Sequence, residues 1–354
     1  MITPDRTPAR QVLVIGTPSN MDNGKAADNQ RGFHVLQNVR EVIKRHNIPR
    51  TKEICLDYHN AQEQIRDVLH NLGLTETKII VVAGDGSTTV ALAAILKLQD
   101  ELMQSFPLLI PGGGLENLLA KQLNTKAQSS WKKFLLGENS YLRTLKMRQL
   151  VVQDEQAKIH LDAPWINFAG EGGVGRLLHH YEPLTRRNYV YQNVLKALQD
   201  AVPQALRDKY KPNEFAGVAQ PNYGSPVDLG PQNDCLSSDE FSILDISANN
   251  ALDAVLRFAL LSAGTRSFLR DTLLYTDLPP WLAVVPGGEM LGREIMTIRP
   301  LRKKVHTFQK KVNVGDRLWL HVDGSPTSIT APQSGIMNIT MSTKPGILTV
   351  CTAR

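Results

Sequence analysis

The residues best suited to chemistry lie in two glycine-rich turns, and the first is AGDGS at 83–87. Glycines let a phosphate approach the backbone, and the N–H groups that open a following helix bind anions. Asp85 supplies a carboxylate that can accept a proton or bind Mg²⁺. The same turn also fits a plain strand-to-helix connection, with glycine at positive φ and Asp85 as a cap.

The second turn is IPGGGLEN at 110–117. Three consecutive glycines lose much backbone entropy on folding, so a simple connector would rarely need them. A backbone that lies against a ligand explains the run better. Two such turns on two strands of one sheet predict a phosphate-binding site.

The elements that position these turns follow from the pattern of the first 125 residues, where short apolar runs alternate with helical spacing. Strands are predicted at 11–15, 53–56, 79–82 and 108–110. Each is followed by helical periodicity, as at 61–72, 88–98 and 115–123. Repeated strand–helix alternation predicts a doubly wound sheet whose ligand crevice lies at the carboxyl ends of the strands.

The pattern changes near residue 140 to closely spaced β runs, which are typical of an antiparallel sandwich. These runs are 148–153, 157–161, 164–170, 304–312, 317–322, 337–342 and 346–350. Helices at 189–207 and 251–270 and a loop at 211–240 interrupt them. We therefore expect an α/β domain at 1–140 and a mainly antiparallel β-sandwich domain at 141–354, with a helical and loop insertion at about 176–270.

Composition limits the class of protein. The chain has 354 residues, of which 42% are hydrophobic and 21% charged, as in a globular protein of about two domains. Its longest apolar run, 90–96, is far shorter than a membrane span, and the N-terminus has no signal-peptide pattern. We expect a soluble, non-secreted, cytoplasmic protein.

Cysteines and histidines suggest no metal site. Cys55, Cys235 and Cys351 are widely separated, which indicates reduced thiols rather than disulfides or a zinc cluster. The pair His179-His180 follows an apolar stretch, and a helix surface explains it better than a metal site, because two ligands do not define one.

The net charge of +6 is confined to one segment. Residues 299–317 contain seven basic residues and one acid, Asp316, so the remainder of the chain is neutral. The segment would attract nucleotide phosphates, nucleic acid or an anionic membrane. An alternative is a solvated strand whose lysines protect a sheet edge. Nucleic acid is disfavoured as the main partner, because few aromatics and no binding motif accompany the charge.

Both turns, together with RLWLHVDGSP at 317–326, resemble the diacylglycerol kinase catalytic family, which includes sphingosine kinases and, more distantly, NAD kinases. That family is marked by a GGDGT turn, an IP-x-GT-x-N turn and a late DGE motif. The segment WINFAGEGGVGRLL at 165–178 is similar to the family's glycine-containing segment near the acceptor. The resemblance implies an α/β domain and a β-sandwich domain that meet at a cleft, where the γ-phosphoryl group of ATP passes to a lipid hydroxyl.

The resemblance also implies roles for individual residues. The nucleotide-binding residues would be Gly84, Asp85, Gly86 and Ser87 in the first turn and Gly113, Gly114 and Asn117 in the second. Asp85 and Asp323 would be the catalytic carboxylates, and Asp323 would also be the Mg²⁺ ligand. ATP and Mg²⁺ are thus the implied cofactors, and a diacylglycerol or sphingoid lipid is the implied acceptor.

Departures from the family pattern leave a second reading open. Val90 and Ser325 stand where the family carries acidic residues, so Mg²⁺ would be held less tightly. The alternative is a catalytically impaired nucleotide- or lipid-binding pseudokinase on the same fold. A sugar-phosphate kinase of the phosphofructokinase type is a weaker third reading, because only its GGDGS-like turn is present. The expected partners are a hydroxyl-bearing substrate and an anionic membrane, with a homodimer as an open alternative.

Overall fold

The computed structural model describes residues 2–21, 27–74, 76–114, 117–138, 140–167, 169–171, 179–180, 217–220, 239, 241–245, 301–323 and 325–353. The chain divides into two compact units. The first consists of Met1–Met147 with Pro345–Arg354, and the second of Arg148–Lys344.

The first unit is an α/β domain. Its described helices are α1 (Pro18–Met21), α2 (Ala27–Arg45), α3 (Ala61–Leu72), α4 (Asp85–Leu102), α5 (Leu118–Gln122) and α6 (Gln128–Leu136). Its described strands are β1 (Ile2–Asp5), β2 (Gln11–Gly16), β3 (Arg50–Cys55), β4 (Thr77–Val82), β5 (Pro107–Leu109), β6 (Ser140–Leu145) and β17 (Leu348–Thr352).

These strands form a sheet in the order β1-β6-β17-β5-β4-β2-β3. The five strands from β17 to β3 are parallel, and β6 and β1 add an antiparallel edge. After β2 the chain first adds β3 on one side and then β4 on the other. The direction of strand addition therefore reverses at β2, and the carboxyl ends of β2 and β4 border the crevice where such sheets bind ligands.

The centre of the sheet is apolar on both faces, as expected for β4. All six residues of β4 are buried, including Lys78. The ammonium of Lys78 is paired with Asp5 at 2.7 Å and also donates to the carbonyl of Phe134. Burial of a charge is tolerated here because it is paired and hydrogen-bonded.

Residues 141–147, with most of β6, and the C-terminal strand β17 belong to the first unit, whereas the sequence predicted that 141–354 forms the sandwich. Thr349 and Val350 pair with β5 in parallel register, and β6 pairs with the other edge of β17. The run 346–350 was thus recognised as a strand, but its partners lie more than 200 residues away in sequence. A local pattern contains no information on that pairing.

The second unit is a β-sandwich in its described part. One sheet has the order β13-β16-β7-β8 and another the order β15-β14-β9. Their strands are β7 (Arg148–Asp154), β8 (Ile159–Trp165), β9 (Ala169–Glu171), β13 (Val305–Lys311), β14 (Arg317–Val322), β15 (Ser325–Thr330) and β16 (Ile336–Thr343). Alternate residues of both sheets meet in one apolar core, with Leu150, Val152 and Ile339 from the first and Leu318, Leu320 and Ile329 from the second. The structure confirms the predicted fold class.

A third small sheet contains three strands that the sequence did not predict. It consists of β10 (Gly217–Gln220), β11 (Phe241–Asp245) and β12 (Leu301–Lys303), in that order. Strand β10 falls inside the expected loop at 211–240, because its antiparallel partner β11 supplies a ladder that local composition does not reveal. The helices expected at 189–207 and 251–270 lie outside the described residues.

Two further expectations concern the membrane and the cysteines. In the part of the chain that the structure describes, no helix is long and apolar enough to cross a membrane. Cys55 is an exposed free thiol and Cys351 a buried one, whereas Cys235 lies outside the described residues.

Candidate functional site

The first glycine-rich turn forms the start of helix α4. Gly84 is the N-cap with φ −72° and ψ 167°, and Asp85 is the first helical residue. The helix therefore begins three residues earlier than the sequence predicted. Gly86 and Ser87 lie in its first turn, so neither Gly84 nor Gly86 is present to supply a positive φ.

Gly84 instead serves a close approach between the two turns. A Cβ built on Gly114 would lie 2.6 Å from Cα of Gly84, and a Cβ on Gly84 would lie 3.4 Å from Cα of Gly114. A Cβ on Gly113 would meet the backbone nitrogen of Ala83 at 2.9 Å. The two turns thus pack backbone against backbone at the carboxyl edge of β4 and β5, which brings the predicted nucleotide-binding residues of both turns together.

Asn117 closes the second turn. Its Oδ1 accepts the N–H groups of Gly113 and Gly114, both at 2.8 Å, and its Nδ2 donates to the carbonyl of Gly114 at 2.6 Å. Gly112 and Asn117 take positive φ angles of 84° and 50°, which glycine and asparagine tolerate. The N–H groups that we expected to bind a phosphate therefore donate to the carboxamide of Asn117 in this conformation.

Asp85 is a half-buried carboxylate at the start of α4. Its Oδ1 accepts the backbone N–H of Leu119, the second residue of α5, at 3.3 Å. Its backbone carbonyl accepts the hydroxyl of Thr89 at 3.1 Å. A carboxylate at the first helical position is stabilised by the partial positive charge of the helix end. Asp85 therefore lies beside both glycine turns, at the positive end of α4.

Asn20 is a site residue that the sequence analysis missed. It follows β2, is 2% exposed, and donates Nδ2 to the carbonyl of Val82 at the end of β4 at 2.9 Å. A Cβ on Gly32 would lie 1.9 Å from its Oδ1, so glycine at that position of α2 makes room for the carboxamide. Asn20 thus joins the carboxyl ends of the two strands that border the crevice. Its only sequence signal is a polar residue shortly after a buried strand.

Ser87 has a partner that the sequence analysis also missed. Its Oγ lies 2.9 Å from the hydroxyl oxygen of Tyr58, in the loop between β3 and α3. Tyr58 is 47% exposed, as an isolated aromatic residue in a polar loop often is, and no motif marked it.

Asp323 lies in the second unit, directly after β14. It is 3% exposed with φ 46°, and its Oδ2 and Oδ1 accept the N–H groups of Ile166 and Asn167, both at 2.8 Å. These two residues join β8 to β9, which pairs with β14. Asp323 therefore fixes the corner between two neighbouring strands of the sandwich.

Other polar side chains are buried around this corner. Arg148, which is fully buried, donates to the carbonyl of Ile166 at 3.3 Å and lies over the ring of Trp165 at 5.4 Å. Burial lowers the pKa of His321 to about 3. The His321 imidazole is therefore neutral near pH 7.

Mg²⁺ fits the two predicted carboxylates unequally. Mg²⁺ is usually held by one or two carboxylates together with substrate phosphates. Asp85 suits that role, because its carboxylate is half-buried beside both glycine turns. Both oxygens of Asp323 hold backbone N–H groups in a buried corner, which argues against a metal there. Among the residues with described positions, no group of three or more His, Cys, Asp or Glu is arranged to hold a metal.

The remaining predicted groups lie in the second unit. His179 packs edge-on to Trp319 with 4.7 Å between ring centroids. In the basic segment, Lys304 and Lys311 are exposed, and Val305 and Val314 of the same segment are 58% and 62% exposed. This part of the molecule presents cations and apolar side chains together to solvent.

Comparison with known proteins finds similarity among solved structures. No family model matches the chain, and no curated protein matches it. Among solved structures, the chain is similar to yeast NADH kinase complexed with NADH, at 9% identity and a TM-score of 0.39, over 99% of this chain and 85% of that one. A likeness at this level shows neither a family nor an activity, and the resemblance to lipid kinases stays a prediction.

Proposed function

We propose that the protein is an ATP- and Mg²⁺-dependent kinase that transfers the γ-phosphoryl group to a lipid hydroxyl. One observation carries the proposal: the two glycine turns pack backbone against backbone, with Gly84 and Gly114 in contact, at the carboxyl edge of the parallel sheet. This edge is where doubly wound sheets bind nucleotides. The glycines and Asp85 give it the residue types that a polyphosphate requires.

Phosphoryl transfer depends mainly on positioning and charge stabilisation. Gly86 and Ser87 in the first turn of α4 would orient the phosphates, aided by the positive end of that helix. Bound Mg²⁺ supplies neutralisation of the phosphate charge. Asp85 is the carboxylate suited either to hold the cation or to accept the proton of the acceptor hydroxyl.

A lipid acceptor is supported by the charge of the second unit. Residues 299–317 carry the whole net charge of the chain and also contain the exposed valines Val305 and Val314. Cations next to apolar side chains favour contact with an anionic membrane, where a diacylglycerol or sphingoid substrate would be found. A nucleotide site in the first unit and a basic second unit are therefore both consistent with a kinase that acts on a membrane lipid.

A second candidate is a nucleotide- or lipid-binding pseudokinase. The observation that favours it is that the atoms predicted to bind ligand form hydrogen bonds within the protein instead. Asn117 takes two N–H groups of its own turn, and both oxygens of Asp323 hold backbone N–H groups. Val90 and Ser325 in place of acidic residues point the same way.

The test is transfer of radiolabelled phosphate from ATP to diacylglycerol or sphingosine in mixed vesicles. The wild type should label the lipid, and Asp85→Asn should lower the rate by about 100-fold or more while ATP still binds. The matched control is Asp100→Asn, an exposed acid at the far end of α4, which should leave the rate unchanged. Binding of ATP by the wild type without transfer to any lipid would support the pseudokinase, and full activity of Asp85→Asn would refute the role of Asp85.

A further inference from the structure

The loop that carries Tyr58 is held by hydrogen bonds to Gln64 of helix α3 and within the loop itself. The side chain of Gln64 accepts the N–H of Asp57 at 3.0 Å and donates to the carbonyl of Cys55 at 2.7 Å. Oδ1 of Asp57 accepts the N–H of His59 at 3.0 Å. This bond lowers the pKa of Asp57 from its ordinary value. The residues on both sides of Tyr58 are therefore fixed.

The same loop is attached to the centre of the sheet. The N–H of Leu56 donates to the carbonyl of Gly16, the last residue of β2, at 2.8 Å. The Tyr58 hydroxyl then reaches Ser87 in the first turn of α4 at 2.9 Å. Because β3 and β4 lie on opposite sides of β2, this hydrogen bond joins the two sides of the crevice.

The hydrogen bond between Tyr58 and Ser87 leaves one hydroxyl proton of the pair able to donate to a ligand. Each hydroxyl has one proton and two acceptor lone pairs. One proton is used between Tyr58 and Ser87, and the other is directed outside the pair, where it can donate to a phosphate oxygen. The ring of Tyr58 is 47% exposed, so the residue contributes little to the core.

We propose that Tyr58 is a positioning residue of the nucleotide site, holding the Ser87 hydroxyl in the orientation in which it donates to a phosphate of the bound nucleotide. The inference rests on the proposed function, within which it assigns a role to a residue that no motif marks. Tyr58 acts through Ser87, so its effect depends on the serine hydroxyl and on phosphate groups in the ligand.

The experiment measures binding of Mg·ATP and of adenosine by calorimetry, and KM and kcat in the transfer assay. Tyr58→Phe keeps the ring and loses only the hydroxyl. It should weaken ATP binding and raise KM about tenfold, with kcat and the affinity for adenosine unchanged. Tyr141→Phe, a half-buried tyrosine of β6 in the same unit, is the control and should bind ATP like the wild type.

A double-mutant cycle separates positioning from a structural effect. Ser87→Ala should weaken ATP binding, and adding Tyr58→Phe to it should cause no further loss, because both changes remove one interaction. Ser87→Thr retains a hydroxyl and should restore the sensitivity to Tyr58→Phe. A merely structural role predicts additive losses and equal effects on ATP and adenosine, and that result would refute the proposal.

The outcomes also separate this inference from the proposed function. If the wild type does not bind ATP, the nucleotide site is wrong and the role of Tyr58 falls with it. If the wild type binds ATP and Tyr58→Phe binds it equally well, only the role of Tyr58 is refuted.

Discussion

Gly84 and Gly114 meet backbone to backbone, and a Cβ on Gly114 would lie 2.6 Å from Cα of Gly84. Gly114→Ala should therefore force the two turns apart. Because the clash is with main chain rather than with a flexible side chain, we expect a loss of about 1–3 kcal/mol in the free energy of unfolding. Urea unfolding measures the loss, and the affinity for ATP should fall with it.

The control for that change is Gly16→Ala in the same unit, where the new Cβ meets the flexible end of Met21, with Cε at 3.0 Å. It should cost clearly less than Gly114→Ala. Equal losses for the two variants would show that the turns are not in contact.

Asn117→Asp tests whether the second turn faces a phosphate. A carboxylate of the same shape can still accept the N–H groups of Gly113 and Gly114, but it loses the bond to the Gly114 carbonyl and places an oxygen against it. Stability should therefore fall by about 1–3 kcal/mol. A negative charge beside bound phosphates should weaken ATP binding about tenfold or more and leave adenosine binding unchanged. The control is Asn124→Asp, another asparagine with a positive φ of 55°, which is exposed after α5. Equal ATP affinity for both variants would place the phosphates elsewhere.

Asp323→Asn separates a structural carboxylate from a catalytic one. Asparagine tolerates the φ of 46°, but its NH₂ group would face the backbone N–H of Ile166 or Asn167. A buried donor without an acceptor should cost about 1–3 kcal/mol in unfolding free energy.

The control for Asp323 is Asp162→Asn, an exposed acid on β8, which should change stability by less than about 0.5 kcal/mol. A variant Asp323→Asn that unfolds like the wild type but transfers no phosphate would instead support the catalytic role carried over from the family.

Because the Cys351 thiol is buried, we expect the free energy of unfolding to fall at alkaline pH. Burial raises the pKa of its thiol to about 12, and the nearby Asp5 carboxylate adds to the effect. Above the ordinary thiol value of 9.0 the unfolded chain releases this proton while the folded chain retains it, so stability falls as pH rises from about 9 towards 12. Between pH 7.5 and pH 10 this amounts to about 1.4 kcal/mol.

The measurement compares urea unfolding of the wild type and Cys351→Ala at both pH values. Alanine removes the titrating group, so the difference between the two proteins should shrink by that amount at pH 10. A difference that is constant with pH would show that the thiol is not shielded from water.

Reversal of four charges tests the membrane surface. We expect a variant with glutamate at Lys303, Lys304, Lys310 and Lys311 to lose binding to vesicles rich in phosphatidylserine. Each lysine contributes up to about 1 kcal/mol to the free energy of binding near such a membrane. Sedimentation with the vesicles measures binding. Neutral phosphatidylcholine vesicles should bind neither protein.

The matched control reverses four exposed lysines of the first unit, namely Lys44, Lys52, Lys132 and Lys133. This variant has the same net charge and should retain most of the binding. Unchanged binding after reversal of the charges at 303, 304, 310 and 311 would refute the membrane surface and support the alternative, in which these lysines only protect a solvated sheet edge.

The helices, strands and helix ends depend on local residues and could be predicted from their pattern. The 3.6-residue spacing of Leu36, Val39 and Ile43 predicted the buried face of α2, and the β-branched run at 79–82 predicted a strand buried on both faces. Gly73 was predicted to end α3, and its N–H does close that helix on the carbonyl of Leu69. These features depend on residues close in sequence, so their pattern is visible in the sequence.

Contacts between residues far apart in the chain could not be predicted from local patterns. The pairing of β17 with β5, the contact of Gly84 with Gly114, and the hydrogen bond from Tyr58 to Ser87 all join positions far apart in the chain. Each depends on strand order, which local periodicity does not encode. The glycines of both turns could therefore be recognised from the sequence. The reason that glycine is needed there, the close packing of one backbone on another, is visible only in the fold.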